Sequence, residues 1–100
     1  MGRGGIVWEA GDLTGGPVDE IFDALRARFT DLWIERLRVT HPADSDSLWY
    51  VGRNGRDEDI QVECWPDGRP PFLLESDTAR REVPEVRDAV AILSEWLAEM

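Results

Sequence analysis

Asn54-Gly55, set between two runs of alternating character, constrains this chain more than any other pair of residues in it. Asn and Gly both tolerate the positive φ that a type I′ turn requires at its two central positions. The pair therefore predicts an antiparallel hairpin spanning 47–65. A two-residue turn sets Arg53 opposite Arg56, Val51 opposite Glu58, Trp49 opposite Ile60 and Ser47 opposite Val62. One face then carries Trp49, Val51, Ile60, Val62 and Cys64, an apolar set that asks for a covering layer. The other carries Leu48, Tyr50, Gln61, Glu63 and Trp65. The tip is crowded, with Arg53 and Arg56 followed by Asp57, Glu58 and Asp59. A longer loop or a bulge there is the alternative, and a shift of one residue would exchange the two faces.

Two amphipathic segments supply the covering layer. Pro17 stands where a first helical residue loses nothing by lacking an N–H, and Asp19 and Glu20 follow where the helix dipole favours negative charge. Val18, Ile21, Phe22, Leu25 and Phe29 fall on one helical face, so a helix is predicted from Pro17 to Phe29. Pro84 opens the second, with Val86, Ala89, Val90, Leu93, Trp96, Leu97 and Met100 as its apolar stripe. Between the first helix and the hairpin, Leu32 to Thr40 reads as a strand. Its alternation sets Trp33, Leu37 and Val39 on one face and Ile34, Arg36 and Arg38 on the other. The polar segment His41 to Ser47 then reads as a loop, since Pro42 cannot donate to a ladder and Asp and Ser favour turns. After the hairpin, Pro66-Asp67-Gly68 marks another turn. Phe72 to Ser76 forms a short strand, placed at an edge by the prolines before it, and Arg81-Glu82-Val83 adds a few paired residues at most.

The predicted fold is α+β: a two-layer sandwich in which an antiparallel sheet of three to five strands carries both helices on one face, in the order α-β-β-β-β-α. Residues 1–16 hold six of the nine glycines and are assigned to an N-terminal arm, with 17–100 as the single domain. Ile6 to Ala10 is read either as an edge strand or as an arm that tucks Trp8 against the body. The glycines do not follow the spacing of a dinucleotide-binding loop.

Composition narrows function mainly by exclusion. A net charge of −10 argues against nonspecific binding to nucleic acid or to an anionic membrane. No apolar run approaches the length of a membrane span, and the first residues lack the apolar stretch of a signal peptide. A cytoplasmic location is therefore expected, in keeping with a single cysteine, Cys64. All eleven basic residues are Arg, a bias that fits a GC-rich, bacterial coding sequence.

No constellation points to catalysis. His41 and Cys64 are the only candidate base and thiol, and the reading places one in a loop and the other in the core. Asp44, Asp46 and the Asp57–Asp59 run lack the ligand spacing of a calcium loop, so no metal and no cofactor is expected. The chain is expected not to be an enzyme.

What remains is surface. Tyr50, Glu63 and Trp65 on the outer hairpin face, Arg36 and Arg38 on the neighbouring strand, and Asp44 and Asp46 in the loop form the expected protein-binding patch. The competing reading is that the N-terminal arm covers this face, with Trp8 stacked on it. The leading expectation is a small acidic interaction module with a basic protein partner, with a homodimer also compatible. In size, charge and layout, though not in any motif, it resembles small intracellular inhibitors such as the immunity proteins that neutralise basic toxin enzymes. An acidic DNA mimic is one alternative, and a small ligand-binding or enzymatic domain of unknown substrate is another.

Overall fold

A computed structural model describes residues 14–37 and 47–100. Its elements are α1 (Val18–Arg28), β1 (Leu32–Arg36), β2 (Leu48–Arg53), β3 (Asp59–Trp65), β4 (Arg69–Glu75), β5 (Arg80–Val83) and α2 (Val86–Ala98). The five strands form one antiparallel sheet in sequence order. Both helices contribute to a single core on one face of it, which is the predicted α+β sandwich. Neither helix is long and apolar enough to cross a membrane.

The helices form where the sequence favours them. Along α1, Val18, Ile21, Phe22 and Leu25 are buried, and along α2 Ala89, Val90, Leu93 and Leu97 are. These stripes meet Trp49, Val51, Ile60, Val62, Phe72 and Leu74 from the sheet, with the Phe22 and Trp49 rings 5.3 Å apart and tilted by 50°. No side chain of the Pro17 N-cap can cap α1. Asp19 reaches back instead, accepting hydrogen bonds from the Thr14 and Gly15 amides at 3.0 and 2.8 Å. Gly16 allows that entry to lie against the Pro66–Gly68 turn between β3 and β4, since a Cβ on it would collide with the Asp67 carbonyl.

The hairpin forms, in a register two residues away from a tight two-residue turn. Trp49 pairs with Val62, Val51 with Ile60 and Gly52 with Asp59. The predicted partners, Ile60 for Trp49 and Glu58 for Val51, are thereby corrected. The Arg56 amide still closes a turn onto the Arg53 carbonyl at 3.1 Å. Positive φ falls on Gly55 and not on Asn54, the pattern of a type II turn rather than type I′. Such a turn does not match strand twist, so the ladder starts only at Gly52 and Asp59, clear of the charged tip. Because the displacement is an even number of residues, no side chain changes face. Trp49, Val51, Ile60, Val62 and Cys64 are buried as expected.

Two further expectations are corrected. Ile34 and Arg36 lie on the helix face, paired with Val51 and Trp49, whereas Trp33 and Glu35 lie on the open face. Gly52 explains the reversal: it stands opposite Trp33 and, having no side chain, lets the indole lie flush on the backbone, where a Cβ would meet the ring. β4 is an inner strand and β5 the edge. The prolines do not forbid this, because β5 pairs only with Phe72 to Glu75 and leaves Pro70 and Pro71 outside the shared ladder. β1 is assigned to Leu32–Arg36, while the predicted continuation through Arg38, Val39 and Thr40 lies outside the described residues, as do the N-terminal arm up to Leu13 and the loop residues His41, Asp44 and Asp46.

Candidate functional site: the open face of the sheet

With both described helices on one side, the sheet has a second face that none of the described helices or strands covers, and its composition can be read row by row from the register. One row runs Leu48, Glu63, Leu73, Glu82, and Leu37 extends it through its amide bond to the Leu48 carbonyl at 2.8 Å. The next runs Glu35, Tyr50, Gln61, Glu75, Arg80, and a third Trp33, Gly52, Asp59. Glu35, Asp59, Glu63, Glu75 and Glu82 thus share this face with one strand cation of these rows, Arg80. The face is acidic, with apolar side chains alternating among the carboxylates.

Exposure varies sharply across it. Trp33 is 3% exposed, while Trp65, at the opposite end of the sheet, is 61% exposed. Trp65 ends β3 where the register slips: Glu63 pairs with Leu73, yet Trp65 pairs with Arg69. The slip accommodates Pro70 and Pro71 and leaves the indole standing beside them. A groove of about 320 Å³ opens there, lined chiefly by Glu63, Trp65, Pro71, Leu73, Arg80 and Glu82.

The residues expected to form a binding patch are distributed as follows. Tyr50, Glu63 and Trp65 share the open face, and Glu63 and Trp65 line the groove. Arg36 does not join them, because its guanidinium lies 4.9 Å from the centre of the Trp49 ring on the helix side. Arg38, Asp44 and Asp46 fall outside the described residues. Sequence reasoning missed Leu73 and Glu82. Their alternation with Leu74 and Val83 carried the signal, but only the pairing of β4 with β5 brings the two side chains into line.

Of the remaining chemical candidates, Cys64 also borders this groove. Cys64 belongs to the core cluster, and burial, opposed by nearby Arg36, pushes its thiol up to about 11. Such a thiol stays protonated and unreactive at neutral pH. A second cavity, of about 260 Å³, lies between the turn after β4 and the end of α2, with Glu58, Asp59, Asp77 and Glu99 around Trp96 and Met100. Among the described residues, no three His, Cys, Asp or Glu side chains are grouped so as to hold a metal.

Neither a protein-family model, nor the sequence of a curated protein, nor a solved structure matches this chain.

Proposed function

We propose that this protein is a non-enzymatic interaction module that binds a basic protein partner through the open face of its sheet. The observation that carries the reading is Trp65, 61% exposed on an acidic sheet face. An exposed indole beside the Glu63 and Glu82 carboxylates supplies the two things such an interface uses. Trp is a frequent hot-spot residue because it buries a large rigid area. The carboxylates, within a chain of net charge −10, steer a cationic surface toward it and set its orientation. The departure of Arg36 to the helix face makes the open face more uniformly acidic than alternation alone suggested. In its finer form the proposal is an inhibitor of the immunity type, occupying the cationic active site of a basic enzyme in the cytoplasm.

The test is affinity capture from native cytosol followed by binding measurements on the recovered partner. Substituting Tyr50 and Trp65 together by Ala is expected to weaken binding at least about a hundredfold, as loss of a hot spot does, with the fold retained by circular dichroism. Capture of no basic protein, or normal binding by the double variant, overturns the proposal.

A further inference from the structure

The groove beside Trp65 is more specific than an acidic surface. Glu63 and Glu82 stand in one cross-strand row with Leu73 between them. At an inter-strand spacing of roughly 4.8 Å, their backbones are about 10 Å apart, and two glutamate side chains can close on one ion across that gap. Neither takes part in an ion pair among the described residues. Leu73 and Pro71 supply an apolar floor, and the Trp65 indole supplies a wall. A floor for a methylene stem, an aromatic wall for its cationic head and two carboxylates to receive it are complementary to a long basic side chain.

We infer that this groove seats a single cationic side chain, arginine or lysine, presented by the partner; the inference rests on the proposed interaction function and names the chemistry of its anchor. Arginine fits better than lysine, since its planar guanidinium can stack on the indole while donating to both carboxylates. Arg80 lies in the groove wall and opposes the incoming charge. It leaves the pair of carboxylates with a net charge of one to satisfy, so one cationic side chain is the complement.

The probe is a capped Ala-Arg-Ala tripeptide, titrated into the full chain while the indole N–H resonances are followed by NMR. A Trp65→Phe variant assigns the Trp65 signal. Saturable movement of that signal is expected, together with no movement on adding the same peptide with uncharged citrulline in place of arginine. The double variant E63Q/E82Q should weaken the peptide about tenfold or more. E95Q/E99Q, which changes net charge equally at the C-terminal end of α2, should leave its affinity within about twofold, because remote exposed charges are screened. Removing the opposing charge with R80A should tighten binding. Equal weakening by both double variants, an unmoved Trp65 signal, or an equal response to citrulline overturns the inference. Failure of the groove is distinguishable from failure of the interaction function. In the first case the tripeptide does not bind while Tyr50 and Trp65 still matter to a captured partner. In the second the tripeptide binds and no partner depends on them.

Discussion

The two ends of the open sheet face carry one tryptophan each, and they are built in opposite ways. At the hairpin end, Trp33 lies on Gly52 and is 3% exposed. The same end is fastened by Arg53, whose Nε donates to Asp31 at 3.1 Å and whose Nη1 donates to the Leu97 carbonyl at 3.2 Å. Its guanidinium lies 5.1 Å from the centre of the Phe29 ring, and the Asn54 amide donates to the Asp31 carbonyl at 2.8 Å. One side chain therefore joins β2, the turn after α1 and the last turn of α2, where a cation also complements the helix dipole. At the other end, Trp65 stands over a register slip with no glycine opposite to receive its ring. The difference is one of packing: the Trp33 indole is buried with one side against the Gly52 backbone, whereas the Trp65 indole is left exposed beside the register slip.

The sharpest way to break this comparison is to remove the buried member. Trp33→Ala is expected to cost about 3–5 kcal/mol, the usual penalty for truncating a buried tryptophan, measured by urea denaturation. For a chain of 100 residues that is a large share of total stability. A cost below about 1 kcal/mol would show that the hairpin end does not depend on its tryptophan, and the contrast with Trp65 would collapse.

Arg53 sharpens the comparison at intermediate magnitude. Arg53→Ala is expected to destabilise by about 1–2 kcal/mol, combining a partly solvent-screened ion pair with a hydrogen bond to a helix-end carbonyl. The Arg53 guanidinium holds the Asp31 carboxyl below its ordinary value of 3.8. A depressed folded pKa means that the ion pair contributes fully above the ordinary value and is lost as pH falls through the lower, folded one. The stability difference between wild type and Arg53→Ala, followed by denaturation from pH 6 downward, should hold constant to about pH 4 and narrow below it. A difference that stays flat into strong acid would assign the effect of Arg53 to Leu97 and Phe29 alone.

The same contrast explains what was legible in the sequence. The helices, the hairpin and its two faces were readable because periodicity of 3.6 and 2 survives small errors of register. An even displacement at the tip left Tyr50, Glu63 and Trp65 on the face where alternation put them. β1 failed because alternation alone cannot say which face is covered. Trp33 and Ile34 are both apolar neighbours, and the deciding residue is Gly52, some twenty positions away and visible as a seat only once β1 and β2 are paired. The edge position was misread for a related reason: Pro70 and Pro71 exclude a neighbour at their own positions, and β5 is short enough to pair beyond them. Leu73 and Glu82 joined the site only through the pairing of β4 with β5. Local chemistry was readable, and cross-strand chemistry was not.

The smallest expected effect is the one that most needs measuring. Trp65→Ala should change stability by less than about 0.5 kcal/mol, the range of surface substitutions that break no buried contact. Trp65 closes no core cluster, and its exposure of 61% leaves little burial to lose. Some indole area rests against the groove wall, and losing it costs little at roughly 25 cal/mol per Å². If denaturation shows instead a loss near that of Trp33→Ala, the indole is a strut for the slip between β3 and β4. Partner binding lost in the same variant would then report unfolding of that end rather than loss of an anchor. A neutral Trp65→Ala with binding abolished separates the two ends of this face, one holding the sheet together and the other reserved for contact.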